Sequence, residues 1–594
     1  DDSASGNGNP SANVRDNGSD SASDDVSGNA PDDDSASGNG NPSANVRDNG
    51  LDNASVNACF DARPGRALAC RRRWPYRLLH DVSRFLVLIP LLLWLVHVEQ
   101  VRSAPRVPSW GNLLLFAVGL LLPVFLVAAG ARRAIRDRDG WSLHRRVTRF
   151  HQALVVVRLA LLAWFGLGLF SLGWGDAVRL SLRAIERLPV ELPGVVLATL
   201  PGYLAWLALA WAQYPAERAW REQNLILGME DGRPLHPPPT LKQYLSQFLR
   251  LQVLFALVPV FGVLLLRDLF QLALWGHVSL ESTTVQLAIS GVAIAVVFVL
   301  APELLRRILW TTTLPPGPLR DRLHALCQRA RLRHRDILVW HTHGTMSNAA
   351  VMGVVPRFRY VLLSDLLIET LSPRQVEAVF AHEVGHVRHH HMLWYLLFVV
   401  SGVLLVEGAS GLLGAGLDPD GTAALALDWI LGVGGLLLIV LLFGLLSRRC
   451  EQQSDLFAAR SLVREPGEPS PASYGATGDF DDERDGVRLA DDPRQWPVKP
   501  HGAEVFAETL RRVAEVNGIP LHPRPRTGRR IADGFARLVE FTGHFLHGSI
   551  SHRMQFVRQV AADPDATHRY DAAMRRLFGS VAVLLLLSLL MLLF

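Results

Sequence analysis

Nine apolar blocks decide what this chain can fold into. They lie at roughly 84–99, 112–130, 153–174, 194–212, 251–269, 285–302, 393–412, 424–446 and 577–594. A helix needs ~20 mainly apolar residues to cross a ~30 Å hydrocarbon core. Inside that core each backbone N–H and C=O must be satisfied internally, which helices achieve segment by segment. The expected fold is therefore mainly α: a polytopic helical membrane protein of about nine spans. The first block is the shortest and contains Pro90. Apolar residues make up 49% of the chain and charged ones only 19%, so it is not a soluble protein throughout.

The charges between the blocks give the spans a direction. Arg63, Arg66, Arg71, Arg72, Arg73, Arg77 and Arg84 precede or open the first block, and Arg132, Arg133, Arg136, Arg138, Arg145, Arg146 and Arg149 sit between the second and third. Positive loops stay on the cytoplasmic side. If nine spans alternate, 213–250, 303–392 and 447–576 fall on that same side, and the short loop with Asp418 and Asp420 falls opposite. The net charge of +5 could suggest nucleic acid, but the Arg residues cluster beside apolar blocks, so membrane orientation is the better reading and no nucleic-acid partner is expected.

Residues 1–57 are rich in Asp, Ser, Asn and Gly and repeat one 18-residue stretch verbatim, at Asp1–Gly18 and Asp33–Gly50. Such a segment buries too little apolar surface to offset its ordering entropy and is expected to be disordered. Cys59, Cys70, Cys327 and Cys450 show neither zinc-finger spacing nor a disulfide framework, and are read as free thiols facing a reducing compartment. The first apolar block reads as a membrane anchor and not as a secretory signal. Residues 58–302 then form an N-terminal membrane region of about six spans, 393–446 a transmembrane hairpin, and 577–594 a last span. The extramembrane parts are 303–392 and 447–576.

The segment 303–392 reads as a small α+β piece: a helix over Leu319–Arg331, strands at Asp336–Trp340 and Phe358–Leu363, and a helix over Pro373–His391 opened by Ser372 as N-cap, Pro373 at its first position and Gln375 three residues after the cap. The loop 463–502 is rich in Pro, Gly and Asp. An amphipathic helix follows around Val505, Leu510 and Val513, and another after His547.

The helix over 373–391 contains His382-Glu383-Val384-Gly385-His386. Histidines four apart share a helix face and can hold one tetrahedral zinc, with Glu383 within reach of a water on the metal. The bland reading is a helix face with incidental histidines in a His-rich region, since His389, His390 and His391 follow. A catalytic zinc takes three protein ligands. Glu451 lies just after the span 424–446, and a hairpin would return it to the side where the motif helix ends. Asp455, four residues on, could orient a zinc-bound imidazole. The alternative for both is a surface charge cluster at a membrane boundary.

His-Glu-Val-Gly-His, a two-span hairpin and then Glu451-x-x-x-Asp455 resemble the M48 metallopeptidases, the family of the Ste24 CaaX prenyl proteases and the HtpX membrane proteases. Ser347-Asn348-Ala349 with Gly353, then Arg359–Asp365, look like the family's Asn-Ala segment and following strand. His547-Gly548-Ser549-Ile550 with Arg553 is similar to its His-Pro-Ser segment and later Arg, with Gly548 in place of Pro. The resemblance covers roughly 300–560. It implies a zincin-like protease domain holding one Zn2+ per chain on His382, His386 and Glu451, with Glu383 as general base, Asp455 behind the ligands, and His547 and Arg553 on the substrate backbone or the oxyanion. Asn348, Ala349 and Arg359 would lie along an extended substrate added to the sheet edge. From the residues alone Asn348 is equally a turn residue and His547 a loop histidine.

The expected function is that of an integral-membrane zinc endopeptidase, hydrolysing peptide bonds of membrane or membrane-associated proteins by zinc-activated water. Its partners are membrane lipid and a protein or peptide substrate, and its expected place is a bacterial inner membrane with the protease domain facing the cytoplasm. Two other readings stand beside it. One is an intramembrane site-2-type protease, against which Arg374, Glu377 and Arg388 on the motif helix argue. The other is a non-catalytic zinc-binding scaffold or holdase. Among polar residues inside spans, Arg158 is expected to snorkel toward the interface. Glu407 is assigned no role.

Overall fold

The computed structural model describes residues 86–100, 105–136, 140–185, 188–230, 236–280, 282–418, 421–462, 494, 497–519, 521 and 546–591. The repeat, Cys59, Cys70, the arginines of 62–84 and nearly all of the 463–502 loop lie outside these residues.

Apolar sequence becomes helix almost everywhere. The helices up to residue 308 are α1 (Ile89–Gln100), α2 (Trp110–Ala134), α3 (Gly140–Phe170), α4 (Trp174–Ser181), α5 (Leu192–Glu230), α6 (Leu241–Phe248), a π-helical turn (Leu249–Leu254), α7 (Phe255–Leu274) and α8 (Thr283–Ile308). Later come α12 (His391–Gly414), α13 (Thr422–Ser461) and α16 (Pro564–Met591). Among the described residues eight helical stretches are long and apolar enough to cross a membrane: α2, α3, α5, the continuous α6–α7, α8, α12, α13 and α16. The expectation of about nine differs from this at the first block alone. The block at 84–99 yields only the 12-residue α1, about 18 Å at 1.5 Å per residue and short of a full crossing. It is still used, since Leu91 and Trp94 are buried in one cluster with Phe165, Leu209 and Trp206.

Arg158 also departs from expectation. It is 5% exposed, donates to Gln213 Oε1 at 3.2 Å and stacks over Trp206, its Cζ 5.4 Å from the ring centroid. A hydrogen-bond acceptor and an aromatic face on α5 hold the guanidinium between helices, where a snorkelling side chain would have turned outward.

The extramembrane part supplies a four-stranded sheet of order β1-β2-β4-β3: β1 (Thr311–Thr313), β2 (Asp336–Trp340), β3 (Ala349–Met352) and β4 (Tyr360–Ser364). β2 and β4 run parallel, with Ile337 opposite Val361. β3 lies antiparallel at the edge, with Val351 opposite Val361. Phe358, read as the start of a strand, instead ends a 3-10 turn over Pro356–Phe358, and the strand begins at Tyr360. The helices are α9 (Pro318–Arg329), α10 (Asp365–Thr370), α11 (Pro373–Arg388), α14 (Pro500–Asn517) and α15 (Ile550–Ala562). Leu326, Val361, Phe380, Phe457, Phe506 and Val557 share their core.

The start of α11 is as its sequence requires. Ser372 Oγ accepts from Gln375 N at 3.3 Å, the Gln375 side chain accepts from Ser372 N at 3.1 Å, and Pro373 takes the first turn. Its end is earlier than expected. His390 turns left-handed at φ 57°, so the helix stops at Arg388 and α12 starts afresh at His391.

One buried carboxylate ties α11 to α9. Glu377, 1% exposed, meets Arg322 at 3.1 Å, Arg329 at 2.9 Å and Arg374 at 2.8 Å. Glu377→Ala leaves three guanidiniums facing one another and is expected to cost about 2–3 kcal/mol, the arginines being partly solvated. Loss of folded protein on heating in detergent measures it. An unchanged transition would show that α11 is anchored by its apolar face alone.

Candidate metal centre

Two helices build the site, and a glycine lets them meet. On α11, His382 and His386 are one turn apart. On the last turns of α13, Glu451 and Asp455 are likewise four apart and share a face. A Cβ on Gly385 would lie 3.1 Å from Ser454 Cα and 3.1 Å from Phe457 Cβ. The small residue inside the motif thus sets how closely α11 approaches α13, and hence where Glu451 stands relative to the histidines.

The hydrogen bonds behind the rings fix which nitrogen faces inward. His382 Nδ1 is 2.9 Å from Asp455 Oδ1. An ionised carboxylate only accepts, so Nδ1 carries hydrogen. His386 Nδ1 is 3.0 Å from His391 Nδ1, and His391 Nε2 is 2.9 Å from Gln453 Oε1. The amide oxygen accepts, so a neutral His391 donates through Nε2 and accepts through Nδ1, and His386 Nδ1 is the donor to it. His382 Nε2 and His386 Nε2 are then turned toward each other, 3.2 Å apart. Glu451 completes the triangle, with Oε2 3.4 Å from His382 Nε2 and Oε1 3.5 Å from His386 Nε2. Zinc bonds of ~2.0–2.1 Å in a tetrahedron place ligand atoms about 3.3–3.4 Å apart. Three acceptors converging at that spacing fit a zinc ion, and they are the one His/Cys/Asp/Glu group of this kind among the described residues.

The local field agrees with a cation. Burial disfavours charge on His382, yet hydrogen bonds to Asp455 and Glu451 hold its pKa up at about 9. Burial, reinforced by His382, pushes His386 well down and keeps it neutral. Glu383 is partly buried beside the triangle. Burial lifts its carboxyl to about 7, while His382 and the Val351 backbone N–H work against the rise.

That contact with Val351 orients the sheet. β3 is an edge strand, and the Val351 N–H turns away from β4 toward Glu383. Alternation puts the Ala349 backbone on the same open edge. Asn348 turns its backbone inward instead: its N–H donates to Ser364 Oγ at 2.9 Å and its carbonyl accepts from Ser364 N at 2.9 Å. Its side chain is exposed. Arg359 differs from expectation. It donates to the carbonyls of Gly353 at 3.1 Å and Arg333 at 2.8 Å and also to Val354, so it closes the turn between β3 and β4 and does not lie open along the edge.

His547 and Arg553 both reach the site, by different routes. His547 is mostly exposed, with Nδ1 2.8 Å from Glu451 Oε1. Arg553 is buried beneath, with Nε 2.8 Å and Nη2 2.5 Å from the Asp455 carboxylate and Nη1 3.2 Å from Glu451 Oε2. It therefore grips Glu451 of the candidate metal group and Asp455 behind His382, a different place from the substrate-facing one expected. Gly548, where the family's segment has Pro, sits at φ 72°, which proline cannot adopt.

Three residues of the site escaped sequence reasoning: His391, Gln453 and Asn517. Asn517 Nδ2 donates to Ser347 O at 2.7 Å and its Oδ1 accepts from Ser347 N at 3.2 Å, clamping the start of β3. The signals for the first two were the His-rich run and the Gln-Gln before Ser454. Asn517 carried no signal beyond a helix end.

Helices long and apolar enough to cross a membrane, a motif helix paired with a carboxylate-bearing helix around a candidate metal centre, and an open strand beside it are the features that this chain brings to a comparison with known proteins. Residues 315–483 match the model of peptidase family M48. A protease HtpX homologue from Pyrobaculum calidifontis is 32% identical over 122 residues, 20% of this chain and 36% of that protein. The chain thus matches about a third of the length of this relative. The crystal structure of S. mikatae Ste24p shows 16% identity and a TM-score of 0.40, covering 76% of this chain and 100% of that one.

Proposed function

We propose that this protein is a zinc-dependent endopeptidase of membrane or membrane-associated proteins, working on the cytoplasmic side, with His382, His386 and Glu451 as zinc ligands. The observation that carries the reading is the convergence of those three acceptors at tetrahedral spacing beside Glu383 and the open edge of β3. Zinc, when bound, supplies a Lewis acid that polarises a carbonyl and acidifies water. Glu383, with its proton affinity raised by burial, takes a proton from the attacking water and returns it to the leaving amine. The backbone of Ala349 and Val351 pairs with an extended substrate, and the exposed Asn348 side chain borders it. His547, at the mouth, donates through Nδ1 to Glu451 and in its protonated form offers Nε2–H to the oxygen that gains charge. Arg553 positions Glu451 and Asp455.

The sidedness rests on Arg132 and Arg133 in the last turn of α2, Arg136 just after it, and Arg145, Arg146 and Arg149 in the first turns of α3. Four spans separate this arginine cluster from the sheet, so both fall on one side whether or not the short α1 crosses. The intramembrane alternative is disfavoured because the 16-residue α11 is not among the apolar stretches of spanning length and carries Glu377 within three arginines.

Purified full-length protein should contain one zinc per chain and cleave an unfolded protein substrate. A strong chelator should abolish cleavage, and added Zn2+ should restore it. A folded preparation that binds no stoichiometric metal, or cleaves equally well with chelator present, overturns the proposal.

A further inference from the structure

A second site lies where two spans meet the sheet. A cavity of about 200 Å³ is lined by Lys242, Arg250, His341, His343, Trp310 and Trp340, and no Asp or Glu is among its walls. It sits where α6 runs through the π-helical turn into the apolar α7 and where α8 ends at Ile308. π-helical turns inside helices often mark functional sites. Here the turn, Leu249–Leu254, carries Arg250 and Leu251.

Among the described residues, no carboxylate pairs with the positive charge in this cavity. Arg250 donates to the Ile308 carbonyl at 3.3 Å, and its Cζ lies 6.0 Å from the Trp310 ring centroid. Neither Lys242 nor Arg250 has a carboxylate within ion-pair distance among the described residues. The neighbouring arginines behave otherwise: Arg306, Arg307 and Arg335 gather on Glu303. Asp365, on the next turn, is occupied by the Thr342 N–H at 2.8 Å and the Thr342 hydroxyl.

The backbone around the cavity is strained. Of the four described non-glycine residues at positive φ, two line it, Trp310 at 56° and His343 at 55°. A bulky aromatic there is a true outlier, and such strain persists where the surroundings enforce it, often at binding sites. Trp310 is half exposed, as suits an amphipathic ring at the water–lipid boundary.

We propose that this cavity binds a phosphodiester anion, the headgroup of an anionic phospholipid from the adjoining leaflet. Arg250 and Lys242 receive the phosphate, and Trp310 and Trp340 wall the glycerol end. A merely solvated basic rim would need neither the aromatic walls nor the two strained residues.

The chain has two lysines, Lys242 and Lys499, and Lys499 is exposed at the N-cap of α14, so amine labelling of the full chain carries its own reference. In nanodiscs containing phosphatidylglycerol, labelling of Lys242 relative to Lys499 should fall about fivefold against phosphatidylcholine discs. Arg250→Met should remove most of that protection, and Arg250→Lys, which keeps the charge but loses the planar fork over Trp310, should keep an intermediate share. Inorganic phosphate added to phosphatidylcholine discs should give none. Equal labelling in the two lipids overturns the proposal, even without a variant. So does protection unchanged in Arg250→Met, which would be a bulk surface-potential effect, or equal protection by inorganic phosphate, which would make this a site for free anions.

Discussion

Glu383→Gln is expected to lower peptide hydrolysis at least ~10³-fold, the upper range for removing a general base, while the protein keeps its zinc. The amide has nearly the same shape as the carboxylate and still accepts the Val351 N–H, so β3 and α11 stay where they are. It cannot take a proton from water at neutral pH. The three metal ligands and the hydrogen bonds behind them, from Asp455 and His391, are untouched. The paired measurement is metal content and cleavage rate on the same preparation. A variant with full zinc and near-normal cleavage would remove Glu383 from the chemistry. One that lost its zinc as well would show that Glu383 acts on the metal site and not on the proton.

Glu451→Gln should give the opposite pattern, losing metal and activity together. Taking away a residue that only orients a zinc ligand weakens binding ~10–100-fold. Here a ligand itself and its charge go, so zinc affinity is expected to fall beyond ~10²-fold. The change also reaches the layer beneath. Arg553 loses the charge of the Glu451 carboxylate at 3.2 Å and keeps only Asp455 as an ion-pair partner, and His547 keeps at most a neutral acceptor in place of the carboxylate at 2.8 Å. Competition with a chelator of known affinity reads the loss. Wild-type affinity in this variant would displace Glu451 from the ligand set and point to His547, the nearest remaining imidazole on the open side, as the third donor.

How much of this could be read from residues depends on how far the signal travels along the chain. The spans are local, and hydropathy locates eight of them; α1 misleads because its apolar run is too short to decide crossing by itself. The cap of α11 is local too, a Ser-Pro-x-Gln pattern whose hydrogen bonds form within four residues. Glu451 was within reach because a hairpin has simple geometry: up one helix, down the next. β1 and β3 were not. They are three and four residues long, Thr-Thr-Thr and Ala-Ala-Val-Met without alternation, and become strands only because β2 and β4 offer a ladder. Asn517 clamps Ser347 from 170 residues away, which no spacing rule anticipates. Arg158 was misjudged for a related reason: snorkelling is the default for a lone arginine, and its acceptor Gln213 stands 55 residues on, on another helix.

The unbroken course of α13, Thr422–Ser461, has a consequence for synthesis. His382 and His386 leave the ribosome first, while Glu451 follows only after both arms of the hairpin, and Arg553 is made 98 residues after the Asp455 it grips. A growing chain that has not yet laid α12 and α13 across the bilayer owns two imidazoles and no third donor. On the proposed ligand set, the centre is therefore completed only after both arms of the hairpin have been made.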